Sequence, residues 1–248
     1  MKLDVFGLEG IPRVEPGADL PDLLFKAAKQ QDLEFRDKDI VVVTQKIVSK
    51  AEGRVVRLED VSPSSFAKHI ARYMDKDPRI IEVVLSEANR IIKMSRNAII
   101  VETKHGFTCA NAGVDYSNVE EGQVSLLPLE PDESAKRIRQ RLEELTEKEL
   151  AVVVTDTWGR PWRLGQVDFA IGVSGISPFR DYRGEEDMMG HELKVTNIAV
   201  ADEIAAMAEL VKGKSTGVPV VIVRGYDYKD RGGCAEDMIR PVEEDLFR

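Results

Sequence analysis

An aspartate follows a short, strongly apolar run in the second half of the chain. The segment 151–175 reads AVVVTDTWGRPWRLGQVDFAIGVSG, with Asp156 two residues after the last valine of the run and Gly159, Arg160 and Arg163 behind it. The valines predict a strand buried on both faces, which would hold a charged group rigidly at the start of a turn. A carboxylate beside arginines indicates a divalent metal that binds phosphate oxygens. The alternative is a surface loop in which aspartate and arginine pair with each other.

A basic segment follows another apolar run in the first half. The stretch TQKIVSKAEGR, residues 44–54, supplies Lys46, Lys50 and Arg54. It lacks the spacing of a P-loop, but a basic loop at a strand exit can hold the phosphates of a nucleotide. A solvated basic loop without a ligand is the competing interpretation.

Three further loops are candidates for chemistry. NAGVDYSNVEEG, residues 111–122, places Asp115 between Asn111 and Asn118, a pattern that an Asx-rich turn without function would also produce. KGKSTGVP, residues 212–219, is a loop of small residues before a strand, where backbone amides can cradle an anion. EGIP, at 9–12, reads as a tight turn and is weak evidence by itself.

Composition restricts the classes of protein that fit. The chain has 248 residues, a net charge of −9, 43% hydrophobic and 32% charged residues, as expected for a globular protein with a real core. The negative charge argues against a broad nucleic-acid surface. No apolar run is long enough to span a membrane, and the first residues lack the apolar core of a signal peptide, so we expect a cytoplasmic protein. Cys109 and Cys234 indicate neither a zinc site nor a disulfide framework, and Cys109 is expected on a strand.

The pattern along the chain predicts a mixed α/β (α+β) fold. Predicted helices are 20–31 capped by Asp19, one that opens at Asp77 and Pro78 and continues to Ile92, one through Ile138, Leu142 and Leu145, and 200–212. Predicted strands are 39–43, 53–58, a hairpin of 98–103 with 106–111, the two strands flanking the Asp156 turn, and 218–223. The proline-rich stretch 128–134 suggests a division into portions 1–130 and 131–248, and an interleaved arrangement stays open.

Five segments in this order resemble the coenzyme F-420-0:L-glutamate ligases, the gamma-glutamyl ligases of deazaflavin coenzyme biosynthesis. They are VVVTQKIVSKAEGR, CANAGVDYSNVEEG, VTDTWGRPWRLGQVDFAIGVSG, ADEIAA and VPVVIVRG. The resemblance covers nearly the whole chain, and the combination of SKAEGR, NAGVD and TDTWGR is specific although each motif alone is weak.

The resemblance implies a GTP-dependent enzyme that adds L-glutamate to the lactyl carboxylate of coenzyme F-420-0 and then extends through gamma-linked glutamate. It implies a two-domain fold unlike P-loop or ATP-grasp ligases, a homodimer, two Mg²⁺ or Mn²⁺ ions and K⁺. The implied metal ligands are Asp115, Asp156 and Thr157. The implied GTP contacts are Glu9, Gly10, Ile11, Pro12, Gln45, Lys46, Lys50, Asn118, Gly213, Ser215 and Thr216.

The residue chemistry agrees with such a ligase. A carboxylate and an amine form an amide at neutral pH only after activation, commonly as an acyl phosphate, and phosphoryl transfer needs cations that neutralise the spreading charge. Arg160 is a candidate to clamp a phosphate or a substrate carboxylate, and Trp158 either stacks on a substrate ring or packs the loop onto a dimer partner.

One position departs from the family pattern. Lys214 stands where we expect an acidic residue in archaeal members, and an ammonium has no lone pair to give a metal, so the ligands of the second ion stay open. Two alternatives to the ligase also stay open. In the first alternative, the chain is a ligase of the same fold that acts on a different carboxylate. In the second, it is a nucleotide-binding module without catalysis.

Overall fold

The computed structural model describes residues 2–229 and 232–246 and has the mixed α/β architecture that the sequence predicts. The described residues form six α-helices: α1 Leu20–Gln30, α2 Gln45–Ala51, α3 Ser65–Met74, α4 Pro78–Ser86, α5 Pro131–Thr146 and α6 Val200–Lys212. The strands are β1 Asp4–Leu8, β2 Asp39–Thr44, β3 Val55–Arg57, β4 Ala88–Met94, β5 Ile99–Thr103, β6 Thr108–Ala110, β7 Gln123–Ser125, β8 Leu150–Arg160, β9 Arg163–Ser174, β10 Arg180–Asp181, β11 Asn197–Ile198 and β12 Val220–Arg224.

A five-stranded sheet in the order β1-β12-β2-β8-β9 forms the centre of the molecule. β2 and β8 are parallel, with Val41 opposite Val152, and the other neighbours are antiparallel. It follows that β1, β2 and β8 end at one edge of the sheet and that β12 begins at the same edge. Loops from distant parts of the sequence therefore meet there, as ligand-binding loops do at the carboxyl ends of strands in open α/β sheets.

Alternate residues of the central strands contribute to two different hydrophobic cores. Val41, Val43, Val152 and Val154 face α1 and α5, whereas Val42 and its neighbours on that face pack against α6. Both faces are therefore covered, which explains why residues 40–43 of β2 and 150–154 of β8 are continuous apolar runs rather than alternating ones. Fully burying each of these side chains contributes about 1.5–3 kcal/mol.

Close packing of α5 depends on a glycine in β9. A Cβ added at Gly172 would lie 2.3 Å from the carbonyl oxygen of Pro131, the first residue of α5. Any side chain at this position would push the helix off the sheet.

A smaller layer carries the Asp115 segment. β4, β5 and β6 form an antiparallel sheet, β3 pairs with β7, and a third core lies between these strands and helices α3 and α4. Asp115 forms an isolated bridge with Ser125 at the end of β7. The division of the chain into portions 1–130 and 131–248 stays a prediction; the central sheet takes strands from both.

The structure corrects three sequence predictions. The helix that opens at Asp77 ends at Ser86, and Ala88–Met94 is strand β4, because its apolar residues pair with β5. The basic segment predicted as a loop is helix α2 from Gln45 to Ala51.

The third correction concerns Asp156, which we predicted in a turn. β8 continues through this residue to Arg160 and pairs with β9, so the turn lies at 161–162. The carboxylate is consequently fixed by strand pairing rather than by a loop. Other local predictions are confirmed: Asp19 and Asp77 cap their helices, the 98–111 hairpin forms, and Cys109 lies on a strand. None of the helices within the described ranges has the length and apolarity to cross a membrane.

Candidate active site

A cavity of about 740 Å³ lies where β2 ends, β12 begins and β8 passes through Asp156 and Thr157. Its walls come from four segments that are far apart in sequence. The lining residues are Thr44, Lys46, Ile47, Lys50, Asp115, Ser117, Asn118, Asp156, Thr157, Gln166, Glu209, Lys212, Gly213, Lys214, Ser215, Thr216, Gly217, Val218 and Pro219. The cavity therefore joins the basic segment, the Asp115 segment, the Asp156 strand and the loop after α6.

Helix α2 presents two lysines to this cavity. Lys46 and Lys50 are four residues apart and share one face of the helix. The Lys46 Nζ donates to Asp115 Oδ2 at 2.7 Å and to Ser117 Oγ at 2.5 Å, and the Lys50 Nζ donates to the Asn118 carbonyl oxygen at 2.5 Å. Burial and the positive charges of Arg13 and Lys46 lower the pKa of Lys50. A phosphate placed between the two ammoniums would relieve that repulsion.

Asp115 is held by its own turn and by Lys46. The backbone exchanges two hydrogen bonds with Ser125, and the side chain accepts from the Ser117 backbone N–H at 2.7 Å. Burial alone would raise the pKa of Asp115, but the Lys46 and Ser117 hydrogen bonds outweigh it and the pKa lies below its usual value. This carboxylate is therefore ionised at neutral pH.

The pKa of Asp156 is shifted in the opposite direction to that of Asp115. Burial, together with the negative charges of Asp168 and Asp115, raises its pKa to about 7, although the Thr157 backbone N–H and Lys46 act the other way. Within the described ranges no lysine or arginine forms an ion pair with it. A half-buried carboxylate in this environment is stabilised as an anion when a cation approaches.

The pair Asp115 and Asp156 has the ligand chemistry to hold one divalent cation. Carboxylate oxygens are the ligands that Mg²⁺ and Mn²⁺ prefer, and one neighbouring ammonium leaves the pair with a surplus negative charge. Among residues 2–229 and 232–246, however, no three acidic, histidine or cysteine side chains form a metal-binding cluster. Substrate oxygens and water would have to complete the coordination of such an ion.

Thr157 belongs to a separate polar network on the other face of β8. Its hydroxyl donates to Asp168 Oδ1 and accepts from the Lys214 Nζ at 2.6 Å. Buried Lys212 donates to Asp168 and, at 2.6 Å, to Thr155 Oγ1. Burial alone would raise the pKa of Asp168, but the charge of Lys212 outweighs it and keeps that pKa low.

A second cavity, of about 270 Å³, meets the first at the carboxylates. Asp115, Asp156, Thr157 and Gln166 line both. The second cavity is further lined by Ala110, Asn111, Gly113, Val114, Tyr116, Trp158 and Gly159. Two ligands bound in the two cavities would therefore both reach the pair of carboxylates.

Trp158 forms part of an aromatic stack at this boundary. Its ring lies 5.1 Å from that of Phe169 and 6.0 Å from that of Phe107, between centroids. Trp162, in contrast, is 86% exposed at the tip of the hairpin. Trp158 is thus fixed by intramolecular packing and also lines the smaller cavity.

Nine of the predicted site residues line the larger cavity. They are Lys46, Lys50, Asp115, Asn118, Asp156, Thr157, Gly213, Ser215 and Thr216.

The other predicted residues lie elsewhere. Gln45 is buried and accepts from Ser49 Oγ, and Arg160 lies at the far end of β8 and lines neither cavity. The segment 9–12 follows β1 at the same sheet edge but does not line the cavity; its residues are Glu9, Gly10, Ile11 and Pro12. The backbone of Glu9 is hydrogen-bonded to the side chain of Gln31.

Sequence reasoning singled out neither Asp168 nor Ser117, and it included Lys212 only as part of the loop 212–219 expected to cradle an anion. Asp168 is an isolated acid in the apolar strand β9, and the β8–β9 register places it opposite Thr157. Extending the hairpin pairing outward from the turn at 161–162 would have found it. Lys212 gave no such signal, because a lysine in the last turn of a helix usually interacts with solvent and with the helix dipole.

Comparison with known proteins identifies the family. A sequence model of the F420-0:gamma-glutamyl ligase family matches residues 10–225. The chain is 45% identical to the coenzyme F420:L-glutamate ligase of Methanothermobacter thermautotrophicus, over 100% of both chains. It is 46% identical to the enzyme of that name from Methanocaldococcus jannaschii and 43% identical to the one from Archaeoglobus fulgidus, in each case over 100% of this chain and 97% of the relative. The chain therefore belongs to the F420-0:gamma-glutamyl ligase family.

Proposed function

We propose that this protein joins L-glutamate to the lactyl carboxylate of coenzyme F420-0 and then adds glutamate in gamma linkage, with GTP as the source of activation and Mg²⁺ or Mn²⁺ as the metal. The named relatives support the substrates. The observation that carries the proposal is the position of Asp115 and Asp156 where the two cavities meet.

Each cavity suits one partner of a phosphoryl transfer. The larger one has Lys46, Lys50 and the loop 212–219, whose ammoniums and backbone amides match the phosphates of a nucleotide. The smaller one is lined by Trp158 and Asn111, and it would receive the carboxylate that is to be activated. A divalent cation between Asp115 and Asp156 would supply charge neutralisation for the transferred phosphoryl group.

The reaction divides into two steps. An oxygen of the acceptor carboxylate attacks the γ-phosphorus of GTP, the bond to the β-phosphate oxygen breaks, and GDP leaves. The neutral amine of glutamate then attacks the acyl carbon, and phosphate leaves with the carboxylate oxygen and the proton that the amine gives up. In both steps Lys46 and Lys50 hold the phosphate oxygens, because orientation and charge compensation are what phosphoryl transfer requires.

We also propose a homodimer. Large apolar side chains remain exposed on the β8–β9 hairpin and on the segment that follows β10. They are Trp162, Leu164, Met188, Met189 and Val195. These side chains are candidates for the subunit interface, since large exposed apolar patches mark interaction sites. Light scattering of the purified protein measures the assembly directly.

Product analysis tests the proposed function. The protein is incubated with coenzyme F420-0, L-glutamate, GTP and Mn²⁺, and we expect mass spectrometry to show products with one and then more added glutamyl residues. Asp156→Asn serves as the control, since loss of an essential electrostatic contact typically lowers the rate by ~10² or more. If GTP binds and no coenzyme F420-0 product forms, the substrate assignment is wrong. If GTP also stays intact with every carboxylate offered, the protein is a nucleotide-binding module.

A further inference from the structure

The side-chain ammonium groups of Lys212 and Lys214 both lie on the Thr157 side of the large cavity. The Lys214 Nζ lies 2.6 Å from Thr157 Oγ1, 2.8 Å from Glu209 Oε1 and 3.5 Å from Asp168 Oδ1. These three oxygens are of the kinds that bind a hard metal ion. A lysine ammonium thus sits among the oxygen atoms that a second divalent ion beside Thr157 would need.

The local charges leave nothing for such an ion to neutralise. Asp168 and Glu209 contribute two negative charges, and Lys212 and Lys214 contribute two positive ones within 4 Å of them. On the other face of β8, Asp115 and Asp156 carry two carboxylates against the single ammonium of Lys46. Divalent ions need surplus negative charge, and only the second group has it when its acids are ionised.

The two lysines differ in how firmly they are held. The Lys212 side chain is 3% exposed and is committed to Thr155 and Asp168, so it acts as part of the core. The Lys214 side chain is 62% exposed and reaches Thr157 from the loop that borders the cavity. Lys214 is therefore the cation that a change in sequence can remove without unfolding the protein.

We infer that the Lys214 ammonium, and not a second divalent ion, occupies the cation position beside Thr157, so that each chain holds a single divalent ion between Asp115 and Asp156. This inference rests on the metal site of the proposed function. It departs from the two ions that the family resemblance implies. Thr157 is then a hydrogen-bonding partner of Asp168 and Lys214 rather than a metal ligand.

Counting bound Mn²⁺ tests the inference without any activity assay. Metal-free protein is titrated with MnCl₂ and followed by equilibrium dialysis and by electron paramagnetic resonance, with GDP absent and then present. We expect one Mn²⁺ per chain beyond that carried by free GDP, with the spectrum of an isolated ion. Two ions with a spin-coupled spectrum would overturn the inference and leave the proposed function standing. No binding would overturn both.

Two variants of Lys214 separate its role from a simple shortage of ligands. Lys214→Glu exchanges the ammonium for a carboxylate, and we expect the stoichiometry to rise from one Mn²⁺ to two with the appearance of spin coupling. Lys214→Gln removes the charge without adding a carboxylate ligand and leaves Asp168 and Glu209 with one surplus negative charge over Lys212, so we expect it also to admit a second Mn²⁺, more weakly than Lys214→Glu. A stoichiometry of one in Lys214→Glu, with an unchanged circular dichroism spectrum, would show that Lys214 does not hold that position and would refute its assignment.

Discussion

Replacement of Asp156 by asparagine should stabilise the metal-free protein at high pH. An aspartate in an unfolded chain loses its proton near pH 4, whereas burial and the nearby carboxylates raise the pKa of folded Asp156 to about 7. Between these values the unfolded state binds fewer protons, so stability falls as pH rises from about 4 to about 7. Three units of pKa correspond to about 4 kcal/mol, and partial exposure of the side chain reduces this to about 2–4 kcal/mol.

Urea unfolding in the presence of a chelator, between pH 4 and pH 8.5, measures this difference. The free energy of unfolding of Asp156→Asn should equal that of the wild type near pH 4. It should then exceed the wild-type value by an amount that grows as pH rises and becomes constant above pH 7. A stability difference that does not change with pH, or a variant less stable than the wild type at pH 8, would refute the electrostatic account of Asp156.

Asp115→Asn is the matched control because its pKa is shifted in the opposite direction. The Lys46 and Ser117 hydrogen bonds hold the pKa of Asp115 below its usual value, so its ionised form contributes stability above the unfolded pKa that is lost as pH falls through the folded pKa. The variant should therefore be less stable than the wild type at neutral pH. Added Mn²⁺ should stabilise the wild type, by about 2.7 kcal/mol at a hundredfold excess over Kd, and neither variant.

Three further substitutions test other parts of the structure. Lys50→Ala should weaken GTP binding about tenfold or more in calorimetry, since a charge-assisted contact is lost. An unchanged affinity would show that Lys50 does not contact the nucleotide. Trp158→Leu should lower the Tm, because the stack on Phe169 is lost, and a raised KM for the deazaflavin substrate at unchanged Tm would instead show substrate stacking. Arg224→Met should cost about 3–5 kcal/mol in urea unfolding by leaving buried Asp39 unpaired, and a cost near zero would contradict that reasoning.

Sequence reasoning succeeded where the signal is local. Asp19 and Asp77 mark helix starts because a capping side chain bonds an N–H two or three residues away. It failed at Ile91 and Ile92, whose apolar spacing fits a helix as well as a strand. The choice depends on β5, which follows in the chain and pairs with the segment 88–94.

The residues of the candidate site likewise divide into those that the local sequence indicates and those that it does not. Lys46 and Lys50 could be proposed from their residue types and from the apolar run before them, and Asp115 from its place between Asn111 and Asn118. The structure brings Lys46 into contact with Asp115, and all three line one cavity. Asp168 and Lys212 could not, because their partnership joins strand β9 to the last turn of α6 across 44 residues. Contacts of this range depend on packing that the local pattern does not encode.

An isotope transfer experiment tests the acyl phosphate most directly. Coenzyme F420-0 labelled with ¹⁸O in its lactyl carboxylate is incubated with GTP, L-glutamate and Mn²⁺, and the released nucleotide and phosphate are analysed by mass spectrometry. Attack of the carboxylate on the γ-phosphorus predicts one labelled oxygen in each inorganic phosphate, with unlabelled GDP. Label in GMP, or phosphate without label in a reaction that forms the amide, would contradict the account.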